Sequence, residues 1–207
     1  MSISDQALSS LSVSRETSDR LRLLVSLLEK WNPKINLVSK STLSDIWNRH
    51  ILDSTQIYRL LESDDRRWVD IGSGGGFPGL VIAILAAGDG RSNAVTLIES
   101  DQRKCVFLRT VLRETGVSAK VLSERIEQAT PQNADVLTAR ALADLPKLLA
   151  FAARHLNGEG FALFPKGVTW EKELAAAQKL WSFEYDVTKS KTEPNSVILK
   201  VGKIHHV

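Results

Sequence analysis

Cysteine is almost absent from this sequence of 207 residues, and that scarcity limits what the protein can be. Because Cys105 has no second cysteine to pair with, an internal disulfide is excluded and a reducing compartment is expected. Long apolar runs are also missing, since the longest candidate, residues 80–87, is far too short to cross a bilayer. Residues 1–14 lack the basic start and apolar middle of a secretory signal. These absences predict a cytoplasmic protein without a membrane segment.

The sequence also lacks a metal-binding pattern. Its four histidines are scattered, and no cysteines stand at ligand spacing, so no metal site is expected. A composition of 43% hydrophobic and 25% charged residues is typical of a globular chain that buries a sizeable core. The net charge of +3 is compatible with a polyanionic partner but does not require one. A monomer is expected.

The chain divides into a helical N-terminal extension, residues 1–65, and a longer unit, residues 66–207. In the extension, apolar residues at helical spacing predict a helix around residues 21–28 that ends at Trp31-Asn32-Pro33. A second helix is predicted over residues 43–61.

After residue 66, short apolar runs alternate with helical patterns, which is typical of a parallel sheet with crossover helices. The predicted parallel strands are Trp68–Ile71, Ala94–Ile98, Ala119–Leu122, Asp135–Thr138 and Gly160–Phe164. The helices between them are predicted at Gly79–Ala87, Asp101–Thr115, Leu145–Leu156 and Trp170–Leu180. Two further strands, Phe183–Thr188 and Ser196–Val201, have no room for a helix between them and predict an antiparallel pair. This α/β plan, a Rossmann-like seven-stranded sheet with five parallel strands plus a terminal antiparallel pair, is that of class I S-adenosylmethionine-dependent methyltransferases.

The strongest local feature is a glycine-rich turn, VDIGSGGGFPG over residues 69–79, which follows the first strand and opens a helix. Glycines let the backbone approach a ligand closely, and the helix start presents free N–H groups. One frame, Gly74, Gly76 and Gly79 with Glu99 further on, satisfies the dinucleotide spacing of a nicotinamide enzyme. The other frame, which is the methyl-donor form, consists of Asp70, Gly72, Gly74 and Gly76. Pro78 suits a helix start because it has no N–H.

Glu99 ends the second predicted strand, where a carboxylate accepts hydrogen bonds from both ribose hydroxyls of either cofactor class. A solvated acid at the end of a strand is the alternative. Its place after the glycine turn favours ribose binding.

Nine short segments are distributed over almost the full length of the sequence: Lys30-Trp31-Asn32, Asn36-Leu37, Arg49–Ser54, Asp70–Gly79, Arg103-Lys104, Phe107-Leu108, Arg125–Glu127, Arg140-Ala141 and Lys166-Gly167. Each segment is short, but their order and spacing are specific. Together they resemble the RsmG (GidB) family of bacterial small-subunit ribosomal RNA methyltransferases. The resemblance implies S-adenosyl-L-methionine as cofactor and methylation of a guanosine at N7 in 16S ribosomal RNA. It also implies that Gly72 and Phe77 line the donor pocket, that Ile126 and Glu127 flank the adenine, and that Arg140 lies at the mouth.

Several of these residues keep two interpretations. Arg140 follows the fourth strand, at the edge where substrates meet cofactors in open α/β sheets, so it either holds the target nucleotide or a phosphate, or binds the cofactor carboxylate. Ile126 is either an adenine wall or core. Lys166 either contacts phosphate or is an ordinary solvated lysine. His50 and Asp53 lie three apart on one predicted helix and could hydrogen-bond each other. They either form a wall of the active-site cleft or are a structural pair that fixes this helix against the sheet.

Further basic residues are candidates for RNA contact. Arg103 and Lys104 stand at a helix start, where positive charge opposes the helix dipole, and this local cost suggests contact with an RNA backbone. The predicted basic rim of the site comprises Arg49, Arg103, Lys104, Arg140 and Lys166. His50, next to Arg49, is a further candidate for contact with the substrate.

The chemistry explains why no catalytic triad is visible. A guanine N7 carries a free lone pair and no proton, so its methylation requires positioning and no general base. Arginine and lysine are the usual partners of the guanine N7 and O6 acceptors, which gives Arg140 a substrate-positioning role. Three alternatives remain: a methyltransferase of the same fold acting on a small molecule, a nicotinamide-dependent oxidoreductase, and a noncatalytic RNA-binding module.

Overall fold

The computed structural model describes residues 3–61, 66–91 and 94–207. The boundary expected at residue 65, between the helical extension and the α/β unit, lies outside the described residues. In the part described, no helix is both long enough and apolar enough to span a membrane.

A single sheet of seven strands forms the centre of the molecule, in the order β3-β2-β1-β4-β5-β7-β6. The strands are β1 (Arg67–Ile71), β2 (Ala94–Ile98), β3 (Lys120–Leu122), β4 (Ala134–Thr138), β5 (Leu156–Lys166), β6 (Trp181–Lys189) and β7 (Val197–His206). Strands β1 to β5 are parallel, and β7 runs antiparallel to both β5 and β6. The predicted plan is confirmed, with β7 inserted between β5 and β6.

Helices cover both faces of the sheet, as a parallel sheet requires. They are α1 (Ile3–Leu11), α2 (Arg15–Ile35), α3 (Lys40–Leu43), a π-helical segment (Trp47–Leu52), α4 (Asp53–Tyr58), α5 (Gly79–Gly88), α6 (Gln102–Thr115), α7 (Leu145–His155) and α8 (Trp170–Ala177). One core cluster joins the N-terminal helices, α5 and α6 to one face. A second cluster packs α7 and α8 on the other face.

The predicted end of the first long helix is wrong. Helix α2 continues through Pro33 to Ile35 and ends at Asn36, whose φ of 48° is left-handed. A proline in the last turn removes only one helical hydrogen bond, and buried residues along the helix hold it against the core. The side chain of Asn32 then accepts a hydrogen bond of 2.8 Å from the amide of Val38, which turns the chain away.

The predicted helix over residues 43–61 is also wrong in its continuity. It breaks into the π-helical segment and α4, and the cap residue Asp53 donates its amide to the carbonyls of Asn48 and His50. π-Helical turns are rare and often occur at functional sites. This one presents Arg49 and His50 towards the carboxyl edge of the sheet, where they line a cleft.

Candidate functional site

The glycine-rich turn between β1 and α5 requires glycine at three positions. Gly72, Gly74 and Gly76 have φ angles of 64°, 53° and 89°, the left-handed region that other residues rarely adopt. A β-carbon at Gly72 would also lie 2.6 Å from Leu142 Cδ1, and one at Gly76 would collide with Leu80. Glycine is therefore required by the backbone conformation at all three positions and by close packing against leucines at Gly72 and Gly76.

Hydrogen bonds fix this turn to the end of β2. The amides of Gly72 and Ser73 donate to the carbonyl of Ile98 at 2.9 and 3.1 Å. Glu99 is only 8% exposed, and its two carboxylate oxygens accept from the amides of Gly74 and Asp101 at 2.9 and 2.8 Å. The carboxylate is thus held at the position where a ribose would meet the strand end.

Asp70 lies behind the turn, because it is fully buried and lines neither part of the cleft. Its Oδ1 accepts a hydrogen bond of 2.8 Å from Thr138, and its Oδ2 has no partner. Burial raises the pKa of Asp70 to about 6, against the hydrogen bonds from Thr138 and Ser73. Gly76 and Pro78 also lie outside the cleft walls. Asp70 therefore supports the turn from below.

The cleft at the carboxyl edge has two adjoining chambers. The smaller, about 420 Å³, is lined by Glu99, Ile126 and Glu127. The larger, about 630 Å³, is lined by Phe77, Arg140, Lys166, Arg49 and His50. Both share a wall of small residues with one cation, namely Gly72, Gly74, Lys104, Ala141 and Ala143.

These walls fit S-adenosylmethionine. The smaller chamber offers a buried carboxylate, Glu99, and an apolar wall, Ile126, which is 9% exposed. Gly72 and Gly74 of the turn line both chambers. A donor whose adenosine lies in one chamber can therefore direct its amino-acid portion towards the other.

Arg140 lies between the π-helical segment and the turn. Its Nη1 donates to the carbonyl of Arg49 at 2.8 Å and to Asp53 at 3.4 Å, and its Nη2 donates to His50 Nδ1 at 2.5 Å. The guanidinium also lies 5.2 Å from the ring centre of Phe77. Burial lowers its pKa, and Asp53 opposes that shift. Arg140 is thus held in place before any substrate binds.

His50 and Asp53 do not hydrogen-bond each other as the spacing suggested, and they meet through Arg140 instead. His50 Nδ1 accepts from Arg140, so Nε2 donates to Thr42 Oγ1 at 2.9 Å. The ring stacks on Phe77 at 4.8 Å. Burial, together with the positive charges of Arg140 and Arg49, lowers the pKa of His50 to about 3. The imidazole is neutral and both nitrogens are engaged.

The loop between β6 and β7 forms a wall that sequence reasoning missed. Gln56 donates to Asp53, Ser190 and Thr192 and accepts from the amide of Lys191 at 2.8 Å. Thr192 also donates to Asp53 at 2.8 Å, and Arg49 forms an ion pair with Glu193. Apart from the bond between Gln56 and Asp53, these partners are 134 to 144 residues apart in sequence, so no local pattern could reveal them.

The remaining basic candidates have different environments. Lys166 is 8% exposed, and its ammonium donates to Glu173 at 2.7 Å and to the carbonyl of Ala143 at 3.0 Å, so it is not a solvated lysine. Arg103 is exposed and paired with Asp101, the N-cap of α6, which offsets the unfavourable dipole that first suggested an RNA role. Lys104 lines both chambers.

Among the described residues, no three histidine, cysteine or acidic side chains converge. The sheet order, the glycine turn and the buried acid after β2 together define a class I methyltransferase that uses S-adenosylmethionine. A family model described as GidB, rRNA small subunit methyltransferase G, matches residues 17–197. The chain therefore belongs to the GidB family of S-adenosylmethionine-dependent methyltransferases, as the sequence resemblance indicated.

Curated relatives agree along nearly the whole length. The chain is 54% identical to "Ribosomal RNA small subunit methyltransferase G" of Ruegeria pomeroyi, covering 95% of this chain and 96% of that one. It is 50% identical to the protein of the same name in Rhodospirillum centenum, covering 93% and 87%. Among solved structures, it is similar to a ribosomal protein L11 methylase from Lactobacillus delbrueckii subsp. bulgaricus, with a TM-score of 0.58, 14% identity and coverage of 79% and 80%. That structural likeness concerns the fold alone.

Proposed function

We propose that this enzyme transfers the methyl group of S-adenosylmethionine to N7 of a guanosine in 16S ribosomal RNA of the small ribosomal subunit. The observation that carries the proposal is the match, over nearly the full chain, to relatives named for small-subunit ribosomal RNA methylation. The two-chamber cleft supports it, because a methyl donor and a flipped nucleotide need adjoining sites.

The smaller chamber is proposed to bind the adenosine of the methyl donor. Glu99 would accept hydrogen bonds from the ribose hydroxyls, as acids at this position do in nucleotide-binding sheets. Ile126 would pack against the adenine, with Glu127 beside its edge. Gly72 and Gly74, at the junction of the chambers, would lie against the amino-acid portion.

The larger chamber is proposed to bind the target guanosine. Arg140 would donate to O6 of guanine, which leaves the N7 lone pair free to react, or to an adjoining phosphate, both acceptors that arginine commonly recognises. Its anchoring by His50, Asp53 and the Arg49 carbonyl supports this role, because a fixed guanidinium loses little conformational freedom when it binds. Contact with the donor carboxylate is the alternative, since Gly72 and Phe77 line the same chamber.

The reaction requires no general base from the protein. When bound, the donor supplies an electrophilic methyl group, and N7 attacks with a lone pair that carries no proton. Because His50 is neutral and engaged at both nitrogens, it is suited to holding Arg140 rather than to abstracting a proton. Catalysis would then come from alignment of N7 with the methyl group.

Basic side chains in and beside the cleft complete the proposal. The candidates for contact with RNA phosphates are Arg49, Lys104 and Lys166 on the cleft walls and Arg103 outside them. We further propose that the enzyme acts as a monomer in the cytoplasm without a metal. Gel filtration, and turnover after exhaustive chelation, would test the oligomeric state and the metal separately.

The decisive experiment is transfer of labelled methyl from S-adenosylmethionine to small subunits and to naked 16S RNA, both from cells lacking the modification. Nuclease digestion should release label as 7-methylguanosine from one site. Arg140→Ala should reduce turnover greatly while the fold is kept, although loss of its contacts with Asp53 and His50 should lower the unfolding temperature. If neither RNA is labelled while the donor still binds, the RNA substrate is refuted and a small-molecule acceptor takes its place.

A further inference from the structure

The last turn of α7 holds the loop over residues 125–129 from behind. Nε2 of His155 lies 2.9 Å from the carbonyl oxygen of Ile126. The guanidinium of Arg154 donates twice to the carbonyl of Ala129, at 3.2 and 2.8 Å. Two carbonyls of one short loop are thus fixed by neighbouring side chains.

His155 has an unusual environment for a core residue. Its side chain is fully buried, and its Nδ1 has no hydrogen-bond partner. Because a carbonyl only accepts, Nε2 must carry the proton and donate to Ile126. An unsatisfied buried nitrogen is costly, and an aliphatic side chain would avoid that cost. The hydrogen bond to the carbonyl of Ile126 is the contribution of His155 that an aliphatic side chain could not make.

The loop that His155 holds forms part of the smaller chamber. Arg125, Ile126 and Glu127 line it together with Glu99. Within the loop, the amides of Gln128 and Ala129 turn back to the carbonyl of Arg125. With the Ile126 carbonyl tied to His155, the backbone of Ile126 and Glu127 is fixed at the chamber wall.

We propose that His155, assisted by Arg154, is a positioning residue for the methyl donor, which fixes the loop over residues 125–129 against the adenine ring. This rests on the proposed placement of adenine beside Ile126. Neither residue touches the donor, since neither lines the chamber. Their effect is on donor affinity and not on the methyl-transfer step.

The test compares two variants. His155→Leu removes both the N–H group that bonds to Ile126 and the unpaired ring nitrogen, whereas His155→Gln keeps an amide N–H that can reach the same carbonyl. Titration calorimetry measures the Kd of S-adenosylmethionine and S-adenosylhomocysteine. His155→Leu should raise both Kd values roughly five- to tenfold, because one hydrogen bond is lost. His155→Gln should restore most of the lost affinity. kcat at saturating donor and KM for RNA should stay near wild type. His205→Leu, an exposed histidine, is the matched control.

A wild-type Kd in a folded His155→Leu variant would overturn the proposal. Should that variant unfold, Arg154→Met carries the test, because Arg154 is exposed and its loss removes only the second tether. Its donor Kd should rise roughly two- to threefold, and an unchanged Kd would overturn the proposal equally. Donor binding needs no RNA, so failure of RNA methylation would leave this result standing.

Discussion

The buried carboxyl of Asp70 should make the stability of the protein fall as the pH rises. Burial raises its pKa from 3.8 to about 6, so the native state keeps the proton at pH values where the unfolded chain releases it. Since the native state binds more protons across this window, the free energy of unfolding decreases as pH rises through it. The shift corresponds to about 1.4 kcal/mol between pH 5 and pH 8, of which about 1 kcal/mol falls between pH 5 and pH 6.

Asp70→Asn isolates this contribution, because an amide does not titrate. Its unpaired N–H group adds a cost of about 1–3 kcal/mol, but that cost is independent of pH. Urea unfolding of both proteins from pH 5 to pH 8 should therefore show the variant gaining about 1.4 kcal/mol relative to wild type. Thr138→Val removes a hydrogen bond that lowers the pKa of Asp70. In this variant the decrease in the free energy of unfolding should therefore occur at higher pH than in wild type. A flat difference between wild type and Asp70→Asn would refute the reasoning.

Three further perturbations test the surroundings of the cleft. Glu193→Gln frees Arg49 from its ion pair, whose partners are 40% and 36% exposed, so affinity for RNA should rise a fewfold and the salt slope of binding should steepen by ~0.7. Gly76→Ala should cost about 1–3 kcal/mol in urea unfolding, because φ is left-handed and a side chain would collide with a neighbouring leucine. Lys166→Met should cost roughly 2–3 kcal/mol in the same measurement, since it leaves Glu173 without its ammonium partner.

Each of these has a contrary result. Unchanged salt dependence in Glu193→Gln would mean that Arg49 does not reach a phosphate. A fully stable Gly76→Ala would show that the turn can relax around a side chain. Equal stability of Lys166→Met and wild type would indicate that the pair with Glu173 contributes nothing, and a loss of RNA binding alone would then favour phosphate contact.

The sheet was predictable because its information is local. Alternating apolar runs and helical patterns, and the glycine turn after Ile71, depend on neighbouring residues. The strand order is not local in this sense, since β4 lies beside β1 and β7 lies between β5 and β6. The chamber positions of Gly72, Glu99 and Arg140 were also within reach, because the carboxyl ends of parallel strands meet at one edge.

What the sequence could not reveal depends on distant contacts. The bonds of Gln56 to the loop between β6 and β7 join segments more than a hundred residues apart. Lys166 was expected to be solvated or to bind phosphate, and its partner Glu173 is recognisable only once α8 is packed against β5. The π-helical segment, which turns His50 towards Arg140, has no sequence signature of its own.

The insertion of β7 between β5 and β6 has a consequence for the order of folding. Because β7 lies between β6 and the rest of the sheet, β6 cannot join the sheet until residues 197–206 have paired with β5. Only then do Thr192 and Glu193 reach the π-helical segment and α4. This wall of the larger chamber is therefore assembled last, and a chain truncated before β7 would lack this part of the cleft.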